Sequence, residues 1–438
     1  MSATSHHDRS SNGAGPSVDR PVVVASCDSH VGPRLVPDLR AYCPASHRAQ
    51  FDDFVERYDT SVTLFDGGLA HPNLSRPGHY EASARLADMD RDGVATEVLY
   101  HFSQNGQPFP FLMSPAGGLS NDADDRDLAA VGYHLYNRWL ADFVSAEPDR
   151  LLGLAYLPLW DIGAARAELA WAADVGLKGV NFPPPGRPGV VPYNDRAWEP
   201  FWSACEDTGM TLHTHSGGGA PTEYAERPGG HQIQIYEGGG YMSRRAVWWL
   251  IHAGVFERHP LLRLVITEQY EGWWVPTFLE LDNVYQRFGL SSAQGRLPRL
   301  PSEYAADHVL QGASFMSRWQ AADALDHGYA ANVAWGRDYP HVEGVFQVRD
   351  DEAAEPVTRL ALRHLFSAVP PAETRAMAGE NLARVMGLDL RRLERVAAAI
   401  GAPTLADLSA EPEALPEVDR GSNAFRGQAG PRVEAPIG

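Results

Sequence analysis

In TLHTHSGGG, residues 211–219, two histidines stand two apart, His213 and His215, after an apolar run and before three glycines. Side chains at i and i+2 of a strand point to one face, so a strand here aims both rings the same way. Comparable groups end other apolar runs. CDSH carries Asp28 and His30, again two apart; VLYH ends in His101; LRLVITE ends in Glu268; NVAWGRDYPH carries Asp338 and, three residues on, His341. Carboxylates and imidazoles without thiolates make a nitrogen and oxygen site suited to zinc, manganese or iron(II). Buried unpaired, such groups cost several kcal/mol, which a divalent cation offsets.

These residues converge only if the runs that carry them lie side by side. From residue 22 onward short β-branched runs alternate with amphipathic segments, the pattern of βα units. Strands are expected over 22–28, 94–101, 151–159, 176–183, 210–216, 262–268, 308–316 and 332–338. Between them Leu128, Val131, Leu135, Trp139 and Phe143 recur at helical steps before Pro148, and a further helix opens on Asn194 and closes on Gly209. Eight such strands predict an α/β fold, a distorted (β/α)8 TIM barrel with long loops after the first strand (residues 29–80) and the fifth (residues 217–242). The active site of such a barrel forms at the carboxyl ends of its strands, where the polar residues fall. Long loops in a compact fold are usually lids or binding loops.

The barrel domain is expected over 22–402, between a disordered tail at 1–21 and an extended or disordered tail at 403–438, polar and rich in proline and glycine. The chain has 438 residues, and acidic residues outnumber basic ones by 56 to 37, a net charge of −19. That balance disfavours nucleic acid and anionic membrane surfaces as partners. Cys27, Cys43 and Cys205 are too few and scattered for a disulfide framework. With no signal-peptide core and no long apolar span, a cytoplasmic location is expected.

Other conspicuous residues have plainer explanations. His6 and His7 lie in the polar N-terminal tail, His71 and His79 in a loop, and Lys178 just before a strand. The tryptophan pairs Trp248, Trp249 and Trp273, Trp274 stand at helix starts, where packing between barrel and helices is their expected role.

Several stretches together carry a resemblance: ASCDSHVGP, RLADMDRDGVATEVLY, GLKGVNFPP, LHTHSGG, LRLVITEQYEGWW, AWGRDYPHVEG and GENLARVMGL. In this order they resemble the amidohydrolase superfamily, over roughly residues 22–390. The similarity is to the amidohydrolase-related branch that contains aminocarboxymuconate semialdehyde decarboxylase, resorcylate-type decarboxylases and metal-dependent hydrolases. The resemblance implies one divalent ion, zinc or manganese, held by Asp28, His30, His215 and Asp338, with His213 one pleat deeper. It implies that Asp338 handles a proton, and that the protein is a homodimer acting on a small molecule. Candidate substrate contacts are His213, His101 and His341.

The sixth strand departs from the pattern. Family decarboxylases usually have a histidine where this chain has Glu268, and a carboxyl group donates a proton at neutral pH only if its pKa is raised. The expected reaction is therefore metal-assisted hydrolysis of an amide, ester or lactone, with Asp338 and Glu268 as the catalytic residues, Asp338 taking the proton and Glu268 acting either as a further ligand or as a second acid/base. Decarboxylation of an aromatic or unsaturated acid is the alternative.

Overall fold

The structure, a computed structural model, describes residues 19–58, 71–112, 125–217, 227–288, 297–349, 351, 353–418 and 422–426. Eight parallel strands follow one another in chain order: β1 (Ala25–Val31), β2 (Thr96–His101), β3 (Leu151–Ala155), β4 (Gly179–Asn181), β5 (Thr211–Thr214), β6 (Leu264–Ile266), β7 (Val309–Ala313) and β8 (Val333–Trp335). A parallel bridge between Ser29 and Tyr339 brings β1 back to the chain after β8. There the His30 amide donates to the Tyr339 carbonyl at 2.6 Å, and the Asp338 amide to that of Asp28 at 2.9 Å. The expected TIM-type barrel is present.

Helices cover the outside. Arg126–Val144 buries Leu135, Trp139 and Phe143 and begins on the Asp125 side chain, which accepts from the Leu128 amide. The helix over Glu199–Thr208 ends at Gly209, whose φ of 71° supplies the left-handed turn into β5. Trp273 and Trp274 are buried, with Trp274 stacked on Tyr329 at 5.5 Å, a packing role as expected.

Inside the barrel, Val98, Leu152, Leu154, Val265, Leu310 and Ala334 form an apolar plug. Such layered filling makes the interior a packed core rather than a pore. Above it the Tyr100 hydroxyl bonds His213 Nδ1 at 3.0 Å and Thr267 Oγ1 at 2.6 Å. The next level carries the polar strand ends.

Most strands are shorter than their apolar runs suggest, because the polar residues at the carboxyl ends leave the ladder. Thus β5 stops at Thr214, β6 at Ile266 and β8 at Trp335, which puts His215, Glu268 and Asp338 on the first turns beyond. Both Glu268 (φ 61°) and Asp338 (φ 51°) have left-handed backbone. The first strand runs further than expected, to Val31, and its register slips between Ser26 and Ser29. A bulge of this kind re-aims a side chain, here Asp28.

Residues 32–95 connect β1 to β2 and include helices Arg48–Arg57 and Ala82–Asp92, while Gly230–Ile235 and Tyr236–Met242 lie in the connection after β5. Gly379 touches the barrel wall so closely that a Cβ there would stand 2.1 Å from the Val23 carbonyl oxygen.

The expected tails fall partly outside the described residues, at 1–18, 419–421 and 427–438. Where described, the C-terminal stretch is folded onto the barrel: Thr404 bridges Pro21, and helix Leu405–Ser409 buries Leu405 and Leu408. A tail beginning at residue 403 is corrected to that extent, since apolar residues at helical spacing give this stretch a face to bury.

Candidate metal centre

Asp28, His30, His215, Asp338 and His341 meet at the barrel mouth, all buried. His30 Nε2 lies 3.3 Å from Asp28 Oδ1 and 3.3 Å from Asp338 Oδ1, and His215 Nε2 lies 3.3 Å from Asp28 Oδ1. His341 Nδ1 faces Asp338 Oδ1 at 2.9 Å. Glu268 approaches from β6, its Oε2 3.7 Å from His215 Nδ1.

The three imidazoles are fixed in the same way. His30 Nδ1 donates to the His101 carbonyl (2.8 Å), His215 Nδ1 to that of Ser216 (2.8 Å) and His341 Nε2 to that of Phe102 (2.7 Å). Each ring thus turns its other nitrogen toward a carboxylate. Imidazoles that bind metals are held in this manner, one nitrogen donating to the protein and the other left as a ligand.

The donor set fits one divalent cation. His30 Nε2, both carboxylate oxygens of Asp338 and His341 Nδ1 are buried without a hydrogen-bond partner in the protein. Buried polar atoms are rarely left so. Their convergence at close range is the arrangement that a shared cation resolves, and Asp28, His30, His215 and Asp338 are the residues that would hold it. The Ser314 hydroxyl donates to Asp28 Oδ2, which orients that carboxylate.

Electrostatics within the protein alone report the same crowding. Burial pushes the Asp28 carboxyl up, but His215 and His30 outweigh it and hold it below its ordinary value. Burial lowers His30 and His215, yet the neighbouring carboxylates prevail and raise both. His341, despite burial, is raised to about 9, chiefly by Asp338. Glu268 is pushed well above the ordinary carboxyl range by burial, reinforced by Asp338, Asp28 and Glu343 against the opposing pull of His215.

Two expected substrate contacts are placed elsewhere. His213 shares the inner face with His215, but its Nδ1 meets the Tyr100 hydroxyl and its Nε2 meets Thr211 Oγ1 at 2.7 Å. Both ring nitrogens are engaged within the protein, and the residue lies in the polar layer beneath the metal cluster. Since Val98 and Tyr100 occupy the inner face of β2, His101 alternates to the outer face, with its ring 4.8 Å from Phe109 and 5.3 Å from Tyr136. Burial pushes it down to about 3, so it is neutral. His341 does reach the site, stacked on His30 at 3.9 Å.

Sequence reasoning missed Glu343, whose carboxylate gathers with those of Glu268 and Asp338 and with His341, all four donor atoms within 4.8 Å of one another. It also missed the charged network under β1. There Arg85 pairs with Glu97 at 2.6 Å and donates to the His30 carbonyl, while Arg337 pairs with Glu97 and Asp92 at 2.7 Å each. The available signal was Glu97 at an outward position of β2, a face that helices bury in a parallel barrel.

Comparison with known proteins bears on the chemistry. A gamma-resorcylate decarboxylase from Polaromonas sp. is 26% identical over 232 residues, which is 50% of this chain and 66% of that protein, just under two thirds of its length. Among solved structures, 5-carboxyvanillate decarboxylase from Sphingomonas paucimobilis aligns with a TM-score of 0.57 at 22% identity, over 84% of this chain and 100% of that one. A dihydroxybenzoic acid decarboxylase from Polaromonas sp., with bound manganese and the inhibitor 2-nitroresorcinol, aligns at 0.55 and 16% identity, over 84% and 97%. Hydrolysis, expected first because of Glu268, is corrected by these relatives, which are decarboxylases. The physical ground for that expectation is also weakened, because burial and the neighbouring carboxylates raise the pKa of Glu268, the condition under which a carboxyl group can donate a proton. A family model described as Amidohydrolase matches residues 27–388, and with the metal donor set at the barrel mouth this chain belongs to the amidohydrolase superfamily, in its aminocarboxymuconate semialdehyde decarboxylase-like branch.

Proposed function

We propose that this protein is a metal-dependent, non-oxidative decarboxylase of an aromatic or unsaturated carboxylic acid, with a hydroxybenzoate as the leading candidate. The observation that carries the reading is the buried cluster at the barrel mouth, in which His30 joins Asp28 and Asp338, His215 joins Asp28, and Glu268 stands beside His215. When bound, a divalent cation, manganese or zinc, supplies the charge that holds a substrate carboxylate and a neighbouring oxygen.

Asp28, His30 and His215 hold the substrate end of the pocket in register through their fixed hydrogen bonds. Burial and the neighbouring carboxylates push the Glu268 carboxyl above its ordinary range, which favours the protonated form, and this carboxyl group delivers a proton to the ring carbon that bears the carboxylate. The bond from that carbon to the carboxyl group then breaks, its electron pair returns to the ring, and carbon dioxide leaves. Glu268 regains its proton from water, so the reaction consumes one proton and needs no oxidant. Asp338, whose oxygens lack protein hydrogen bonds, serves as ligand and as a second proton-transfer group. His341, stacked on His30, is the remaining candidate for substrate contact.

The test supplies the purified protein with manganese or zinc and offers 2,6-dihydroxybenzoate, other hydroxybenzoates, lactones and amides. Carbon dioxide release from an acid, abolished by chelator, supports the proposal. Acid release from a lactone or amide with no carbon dioxide from any acid overturns it. A homodimer in the cytoplasm completes the proposal, supported by exposed Tyr236, Leu279 and Phe288 and by three free, buried cysteines. Among the described residues no helix is long and apolar enough to cross a membrane.

A further inference from the structure

The family match ends at residue 388, yet a segment well beyond it lies on the mouth of the barrel. The Ser422 hydroxyl donates to the Gly344 carbonyl at 2.9 Å. Asn423 donates twice to the Glu343 carbonyl, from its backbone amide at 2.9 Å and from its side chain at 3.0 Å. Ala424 is buried. Arg426 reaches across to the loops after β6 and β7: it meets both carboxylate oxygens of Glu271, at 2.9 and 3.3 Å, donates to the Phe315 carbonyl at 3.1 Å, and lies over the Tyr270 ring. One short stretch therefore ties together the turns that follow β6, β7 and β8.

These turns carry the chemistry. Glu343 belongs to the carboxylate and imidazole group with Glu268, Asp338 and His341, and Glu271 lies three residues after Glu268. The Gln104 amide donates to Glu343 Oε1 at 2.8 Å, so this carboxylate is held by its side chain from the β2 side and by its backbone from the C-terminal segment. A two-point bidentate pair such as Arg426 with Glu271 fixes orientation as well as distance.

We propose that Ser422–Arg426 is a strap that positions Glu343 and closes the β6 to β8 side of the pocket, making Asn423 and Arg426 determinants of which substrates fit. The activity arm of this proposal rests on the decarboxylase reading; the positional arm does not.

The experiment compares the full chain with Arg426→Ala, Asn423→Ala and a chain ending at residue 418. Amide exchange across residues 338–347 is expected to quicken by ~10-fold or more in each variant, with the β2 to β5 peptides, metal content and thermal midpoint unchanged. With 2,6-dihydroxybenzoate, KM is expected to rise by about 10-fold while kcat stays within ~3-fold. Arg426→Lys, which keeps the charge but not the bidentate fit, should recover part of both effects. Unchanged exchange overturns the strap, as does loss of exchange protection throughout the barrel together with the metal. Faster exchange with an unchanged KM overturns its role in specificity. Faster exchange in a protein that releases carbon dioxide from no acid supports the strap and retires the decarboxylase reading instead.

Discussion

Arg85 and Glu97 form an ion pair at 2.6 Å in which neither side chain is exposed, directly beneath the strand that carries His30. Glu97 also receives Arg337 and the Ser29 hydroxyl, and Arg85 reaches the His30 carbonyl. The charges thus buttress the metal site from outside the barrel wall. Removing one partner of such a pair leaves a buried charge uncompensated, and Glu97→Ala is expected to cost about 3–5 kcal/mol. A urea-unfolding series that finds no loss would show the network to be incidental.

The same pair predicts an acid dependence. Burial pushes the Glu97 carboxyl up, but Arg337 and then Arg85 outweigh it, and its pKa is lowered. A group lowered on folding contributes stability that is fully present above its unfolded value, about 4.3, and that is lost as pH falls through the folded value. Unfolding midpoints followed from pH 7 downward should therefore decline below the ordinary glutamate range more steeply for the native chain than for Glu97→Gln.

The two histidines of β5 should part company on substitution. His215→Ala is expected to leave the protein with well under one equivalent of manganese or zinc. His213→Ala should keep the metal and lose stability by about 1–3 kcal/mol, the cost of leaving Tyr100 and Thr211 without their partner. Metal analysis of the two purified variants distinguishes them.

Glu268 is the proposed acid, and Glu268→Gln removes its proton while keeping its shape. Turnover of the hydroxybenzoate is expected to drop by ~10² to 10⁴, with KM little changed. Glu268→His restores a group able to donate at neutral pH and should retain much of the rate. Equal activity in the native chain and the glutamine variant would transfer the role to another residue.

Gly379→Ala tests the contact behind β1. A Cβ would stand 2.1 Å from the Val23 carbonyl oxygen, a backbone atom that cannot swing aside. The expected cost is about 1–3 kcal/mol, typical of overpacking, seen as a lower thermal midpoint.

Much of this architecture was legible because a parallel barrel writes itself as apolar runs broken by helical periodicity, and because its chemistry sits where those runs end. Asp28, His30, His215 and Asp338 followed from that rule together with the family resemblance. The rule fails by depth and by face. His213 has the same orientation as His215 but lies at the level of Tyr100, and strand periodicity alone does not assign levels across neighbouring strands. His101 ends its strand on the outward side. Arg85, Glu97 and Arg337 were hidden for a different reason: charges on a helix or an outward strand position look solvated until the elements that cover them are known. The strap was hidden by composition, since proline, glycine and polar residues describe a loose tail and a docked one equally well.

The left-handed backbone at Glu268 and Asp338 has an evolutionary consequence. Few side chains tolerate that conformation, with asparagine, aspartate and histidine several-fold enriched there and β-branched residues nearly excluded. The main chain therefore narrows the alphabet available at the two positions proposed to handle protons before any chemistry is selected. Any replacement at position 268 must satisfy the same turn, and histidine is among the residues enriched in it. Exchange of glutamate for histidine there is therefore expected to leave the loop in place.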